Sequence, residues 1–211
     1  ARRFTNEGEP TGPVVHASEP ETGFRRSSVI AGQEDGTYLI AWRLDGADSA
    51  RVIVRQFDAQ GNALTPEMTV ATTIRTRINQ VTVESSGTGD YLISWSAAIE
   101  GTAPDILVSR FKVEEQTLTT PVRVNPEEVQ KAVHTSPKVS MHIDGSFVVT
   151  WQERLDDIYR IMARRFETED FPKDDGFQVS EEIGGSVQAR PELAVLPGGD
   201  FVTVWQDDRN G

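Results

Sequence analysis

The sequence predicts an all-β protein, a β-propeller of about four four-stranded blades whose last blade is built from both chain ends. Three residue types recur at one interval of 53 to 56 residues. They are Trp42, Trp95, Trp151 and Trp205; Phe4, Phe57, Phe111 and Phe166; and Val15, Val70, Val124 and Val179. Self-similarity at one fixed period is typical of repeat architectures, and units of this length match four-stranded propeller blades.

The third unit shows the strand pattern most clearly. Its first strand is predicted at 137–141 and ends before the turn at Asp144-Gly145, because glycine adopts positive φ without a steric penalty. The second strand, at 147–151, is β-branched and aromatic throughout. The third strand, at 158–166, alternates with a period of two residues, and the fourth is predicted at 176–180.

The other units repeat this order within one domain, 1–211. The complete units span approximately 25–76, 77–133 and 134–187. The fourth, 188–211, contains only a first half, and 1–24 matches the missing second half. Stacked blades complete each other's cores, and closing the ring would remove free strand edges.

The spacing from tryptophan to phenylalanine in the split unit also agrees with architectures other than a closed ring. From tryptophan to the next phenylalanine the complete units take 15, 16 and 15 residues, whereas joining Trp205 through Gly211 to Phe4 gives 10. A fragment of a larger propeller or repeat array would show the same shortfall. A stack of small β-sandwich units is a third, lesser alternative.

The repeat also resembles one that is common in large secreted bacterial proteins. The residues that carry this resemblance are Pro137-Lys138-Val139, Asp144 to Gln152 and Ala163 to Phe166. The second unit departs most, with Ala97-Ala98 after its tryptophan. The resemblance implies propeller blades, a secreted or cell-surface location and frequent calcium-binding or adhesive modules, but no shared catalytic residues.

Composition excludes several classes of function. The formal net charge is −12, whereas nucleic-acid binders need a basic surface to displace counterions from phosphate. No apolar run approaches the 18 residues of a membrane span, so membrane insertion is not expected. The absence of cysteine rules out disulfides and thiolate metal sites.

The loops after the tryptophans are acidic and suggest calcium. Ca²⁺ takes six to eight oxygen ligands, which such loops can supply. None has the spacing of an EF-hand, so solvated hairpin loops are the simpler interpretation and no cofactor is required. If calcium binds, the expected ligands are Asp156, Asp157, Asp207 and Asp208.

The recurring aromatic and basic residues have two interpretations each. Trp42, Trp95, Trp151 and Trp205 could stack on sugar rings, but a tryptophan at one strand position per blade more often packs between blades. The arginines before the phenylalanines are Arg3, Arg110 and Arg165, with Arg55 one place earlier in its unit. They are expected to pair with acidic neighbours between blades, and a ring around a central channel is the lesser alternative. Three histidines lack zinc-ligand spacing, and His134 is expected at the surface.

No catalytic residue is predicted, because no nucleophile elbow or phosphate-binding glycine loop occurs. The favoured hypothesis is a non-catalytic extracellular binding or structural module that meets a glycan, a protein or another copy of itself. The first alternative is a propeller glycoside hydrolase with carboxylates at the mouth of the channel, which needs two carboxylates in one pocket, one with a raised pKa. The second is a self-assembling surface or filament subunit.

Overall fold

The computed structural model describes residues 1–20, 22–74, 77–87, 89–98, 102–126, 132–181 and 185–209. These residues form strands and no α-helix, so the described chain has no helix that could cross a membrane. The strands are β1 (Arg3–Phe4), β2 (Pro10–Thr11), β3 (Phe24–Gly32), β4 (Tyr38–Asp45), β5 (Ser49–Phe57), β6 (Met68–Ile74), β7 (Ile78–Ser85), β8 (Tyr91–Ala97), β9 (Asp105–Lys112), β10 (Thr117–Leu118), β11 (Val122–Arg123), β12 (Val133–Met141), β13 (Phe147–Leu155), β14 (Ile158–Phe166), β15 (Phe177–Gln178), β16 (Gln188–Val195) and β17 (Phe201–Asp207).

Three antiparallel sheets follow one another along the chain. The first has the order β3-β4-β5-β6 and the third the order β12-β13-β14-β15. In the second, β7-β8-β9, the outer strand is split into β10 and β11, which both pair with β9. Each sheet is a meander of neighbouring strands, as in a propeller blade, and the predicted β-propeller fold is confirmed.

An aromatic pair ties the second strand of each sheet to the third. Tyr38 opens β4 directly opposite Phe57, with ring centroids 5.3 Å apart. Phe147 opens β13 opposite Phe166, stacked at 4.6 Å. Directly opposite side chains lie close enough to stabilise a strand pair, so the recurring phenylalanine is the partner of the aromatic residue after each turn.

The core lies between the sheets. Trp95 packs with Leu39 and Val70 of the preceding sheet, and Trp151 packs with Leu92 and Val124 in the same way. Trp95 and Trp151 therefore face the sheet before their own, and burial between successive sheets accounts for their periodicity.

The first strands of the sheets lie next to one another. β12 contacts both β7 and β16, and β3 contacts β7. In a propeller the first strand of each blade lines the centre. We call β3, β7, β12 and β16 the inner strands.

Every inner strand contains a β-bulge at the same place. The pairing register shifts between Arg26 and Val29, and at the equivalent points of the other three strands. The bulged residues are Ser27, Gln80, Ser136 and Arg190, whose φ angles are 51°, 48°, 55° and 52°. Positive φ is costly for residues other than glycine. Its occurrence at the same place in all four inner strands indicates that the bulge is a recurring part of the repeat, where it changes the direction of the neighbouring side chains.

The structure corrects the prediction of a last blade built from both chain ends. Among the described residues β16 pairs only with β17, and β1 only with β2. Val15 and Ala17 instead pack beside Trp42 on the first sheet, so the N-terminal segment buries its apolar side chains there. Val202 and Val204 on β17 remain 53% and 60% exposed, whereas Thr150, which corresponds to Val204, is fully buried. Residues 210 and 211 of the predicted last unit lie outside the described residues.

Candidate active site on the inner strands

A charged cluster lies on three successive inner strands. Lys138 of β12 and Glu192 of β16 each stand two residues beyond a bulge. The Nζ atom of Lys138 lies 2.8 Å from Oε1 of Glu192, across the boundary between two sheets. On the other side of β12, Lys138 acts electrostatically on Glu84 of β7. One ammonium group thus interacts with carboxylates from both neighbouring strands.

The two carboxyl groups occupy different environments. Burial raises the pKa of Glu84 above its ordinary value of 4.5, and the nearby charge of Lys138 opposes this effect. Burial dominates because desolvation disfavours the ionised form. Glu192 has a side chain that is 63% exposed and is held by the lysine. A half-buried acid and an exposed carboxylate therefore share one cation.

The bulges hold this cluster in place. The side-chain amide of Gln80 donates to Oγ of Ser136 over 3.1 Å, and its carbonyl oxygen accepts a hydrogen bond from the Ser136 backbone N–H. Both partners are bulged residues with positive φ. The bidentate contact ties β7 to β12 four residues before Glu84 and two before Lys138, which limits relative movement of the two side chains.

A second cluster lies where the first strand of the third sheet begins. Nε2 of His134 is 3.3 Å from Oε2 of Glu153, and its Nδ1 is 3.1 Å from the carbonyl oxygen of Pro104. Both side chains are nearly inaccessible, at 2% and 6% exposure. The expectation that His134 lies at the surface was wrong, because the residue packs between the second and third sheets and not on a loop.

The predicted calcium ligands do not form a common site. Asp156 and Asp157 are exposed in the turn after β13. The carboxylate of Asp207 accepts hydrogen bonds from the Arg209 guanidinium, and Asp208 accepts one from the backbone N–H of Val187. No group of three or more potential metal-ligating side chains occurs in the described part of the chain. Calcium binding stays a prediction, which a calcium titration followed by calorimetry would test.

The tryptophans serve mainly in packing. Trp42, Trp95 and Trp151 are 3%, 0% and 0% exposed, so their ring faces are not available to a sugar. Trp205, on the two-stranded fourth sheet, is half-buried. Its ring is the only one of the four with appreciable exposure.

Sequence reasoning missed Glu84, Lys138 and Glu192. They come from three different units, differ in residue type and stand among 33 acidic residues, so no local motif marks them. Lys138 and Glu192 share a position two residues beyond a bulge, whereas Glu84 stands four beyond, and the contacts that join the three become visible only in the structure.

Comparison with solved structures agrees with the propeller fold. The α-L-arabinanase of Penicillium chrysogenum, complexed with arabinobiose, matches 80% of this chain and 53% of its own, with 11% identity and a TM-score of 0.59. The GH93 α-L-arabinofuranosidase of Fusarium graminearum, also with arabinobiose, matches 82% and 55%, with 12% identity and a TM-score of 0.56. A PL25 ulvan lyase bound to -[GlcA(1-4)Rha3S]- matches 92% and 52%, with 8% identity and a TM-score of 0.57.

These similarities concern the fold. The chain spans about half the length of the structures that it matches. No protein-family model matches it, and neither does any curated protein sequence. The three solved structures named above are of an arabinanase, an arabinofuranosidase and a polysaccharide lyase, and this finding corrects the favoured hypothesis of a non-catalytic module.

Proposed function

We propose that this chain contributes to a glycoside hydrolase and that Glu84 and Glu192 are its catalytic pair. The proposal rests on the cluster in which Lys138 joins the two carboxyl groups across three inner strands. The resemblance of the fold to arabinan-degrading enzymes supports the same class of reaction.

The environment of each group suggests its role. Glycoside hydrolysis requires a carboxylic acid that protonates the leaving oxygen and a carboxylate that attacks the sugar or activates water. A raised pKa keeps more of the Glu84 side chain protonated near neutral pH, as an acid catalyst requires. Glu192 supplies the second carboxylate, and Lys138 positions it at 2.8 Å.

The substrate class is a polysaccharide containing arabinose or a similar sugar, by analogy with the solved arabinanase and arabinofuranosidase. Such a substrate agrees with the secreted or cell-surface location that the sequence suggests. Glycan binding therefore replaces protein binding and self-association as the proposed interaction of the propeller.

The test is release of reducing sugar by the purified full chain from linear arabinan, branched arabinan and a panel of other polysaccharides. We expect Glu84→Gln and Glu192→Gln each to lower kcat by at least about 100-fold, the typical contribution of a positioned acid or base. Glu9→Gln, in the exposed N-terminal hairpin, is the matched control and should keep the wild-type rate.

The pH profile separates the roles. The rate of the wild type should fall at high pH as Glu84 loses its proton. The remaining activity of the Glu84→Gln variant should not show this fall at high pH. The proposal fails if the wild-type chain cleaves none of the polysaccharides, or if both variants keep wild-type rates.

A further inference from the structure

An arginine-lined cavity of about 650 Å³ lies on the first sheet around the turn between β4 and β5, and Arg77 borders it from the side of the second sheet. Its guanidinium groups belong to Arg26 at the start of β3, Arg43 near the end of β4 and Arg77 just before β7. Asp45 and Asp48 are the acidic side chains in its lining. Three cations face two anions, which leaves a local excess of positive charge on a chain whose net charge is −12.

The local excess of positive charge affects a ligand in the cavity more than the net charge of the chain does. At about 0.15 M ionic strength, charges separated by more than about 8 Å are largely screened. A ligand inside the cavity therefore responds mainly to the groups that line it, and not to acidic residues on distant loops.

One arginine is built into the wall. Nη1 of Arg43 donates to the carbonyl oxygen of Ile78 over 2.6 Å, and Nη2 donates to Oδ2 of Asp45 over 2.8 Å. The side chain is 17% exposed, and its buried Nε has no hydrogen-bond partner in the described structure. This N–H group is out of reach of a ligand, so Arg43 contributes its positive charge to the cavity while its two Nη atoms hold it in place.

The other two arginines are accessible. Nε of Arg26 lies 3.4 Å from Oδ2 of Asp45, and its side chain remains 58% exposed. Arg77 is exposed, and the structure describes no ion pair between it and a described carboxylate. Guanidinium groups in this arrangement suit carboxylate or sulfate oxygens, which they bind with two parallel hydrogen bonds.

The cavity adjoins the inner strands. Arg26 directly precedes the bulged residue Ser27, and Arg77 stands three residues before the bulged Gln80. Arg77 precedes Glu84 by seven residues, about 23 Å along an extended strand, so a glycan would have to span several sugar units to meet both.

We infer that the cavity is a subsite for an anionic sugar unit, a uronate or a sulfate ester, of the glycan. This inference rests on the proposed function, because the ligand is the glycan that the proposed hydrolase would cleave. It is tested by binding and not by turnover, so the two proposals fail separately.

The experiment is isothermal titration calorimetry of the full chain with three oligosaccharide probes. These are oligogalacturonate for the carboxylate, a carrageenan oligosaccharide for the sulfate ester and arabino-oligosaccharide as the neutral comparison. We expect one of the anionic probes to bind at least about tenfold more tightly than the neutral probe, because hydrogen bonds to charged groups are the stronger class. Whichever anionic probe binds more tightly shows whether the cavity prefers a carboxylate or a sulfate ester.

Variants test the location. Arg26→Gln and Arg77→Gln should each weaken binding of that anionic probe by about tenfold, with little effect on the neutral one. Arg154→Gln, an exposed arginine at the end of the second strand of the third sheet, makes the same charge change outside the cavity and should leave the affinity unchanged.

Equal affinity for the neutral and the anionic probes would overturn the inference. An equal loss of affinity for the anionic probe in all three arginine variants would also overturn it, because binding would then depend on the general surface charge and not on the cavity. If the anionic probe binds and the variants behave as expected while no polysaccharide is cleaved, the subsite stands and the hydrolase proposal falls.

Discussion

Arg110 and Asp170 form a buried ion pair that joins the second sheet to the third. Nη2 and Nε of the arginine donate to Oδ1 of the aspartate over 2.7 and 2.9 Å, and the side chains are 6% and 9% exposed. The guanidinium also donates to the carbonyl oxygen of Gly145 over 3.0 Å. Arg110 is one of the recurring arginines that precede the phenylalanines, and its predicted pairing with an acid of a neighbouring blade is confirmed.

Breaking this pair should strongly destabilise the chain. Asp170→Asn removes the nearer and more buried of two carboxylates, since Asp90 stays 3.9 Å from Nη1, and the expected loss of unfolding free energy is about 3 kcal/mol. Asparagine tolerates the positive φ of 65° at this position, so backbone strain adds little. Urea denaturation measures the loss. Asp175→Asn, at an accessible position, is the control, and a change below about 1 kcal/mol in Asp170→Asn would show that the pair contributes little.

The Glu84 carboxyl should make stability depend on pH. Its folded-state pKa is raised by burial, so the stability that it contributes is fully present below 4.5 and is lost as pH rises through the folded-state value. The difference in melting temperature, wild type minus Glu84→Gln, should therefore decrease as the pH rises from 4 to 7. A difference that is constant over this range would contradict the assigned environment.

His142 should act in the same direction at higher pH. Hydrogen bonds to the carbonyl oxygen of Pro197 and to Asp144 raise its pKa above 6.5. Its contribution to stability is then present below pH 6.5 and lost as the imidazole deprotonates. Melting temperatures of the wild type and His142→Gln, compared at pH 5.5 and 8.5, should differ more at the lower pH. His16→Gln controls for loss of one histidine, and equal differences at both pH values would refute the prediction.

The tryptophans should differ in their contribution to stability. Trp151→Ala removes a fully buried side chain and should cost about 3–5 kcal/mol of unfolding free energy. Trp205→Ala should cost less than half of that, because its ring is only half-buried. Chemical denaturation followed by circular dichroism gives both values. Comparable losses would mean that the fourth sheet is covered in solution.

Substitution by glycine should remove the conformational cost of positive φ at a bulge. Ser27 is exposed and has a φ of 51°, which glycine adopts without the cost borne by other residues. Ser27→Gly should raise the unfolding free energy by up to about 1 kcal/mol. Ser28→Gly, one residue further and without positive φ, should lower it. Thermal unfolding compares the two, and a loss in Ser27→Gly would show that its side chain stabilises the bulge.

The periodic residues predicted the sheets because their role repeats. Trp95 and Trp151 meet the same kind of neighbour in each unit, and Tyr38 faces Phe57 as Phe147 faces Phe166. The bulges were not predictable, since serine, glutamine, serine and arginine occupy the four equivalent positions. Nothing local in these residue types specifies a positive φ. At two of the four positions, the Gln80–Ser136 contact between inner strands accompanies the bulge.

The sequence by itself determined the all-β class, the strand order within each unit and the packing role of the tryptophans. These depend on alternation, turn residues and a fixed period, which are local or repeated properties. Only the tertiary structure decided that the chain ends form separate sheets, that His134 is buried, that Glu84, Lys138 and Glu192 lie together, and that arginines line one cavity. Those relations join residues from different units across the boundaries between sheets. They depend on how one sheet packs against the next, and no spacing along the chain encodes that arrangement.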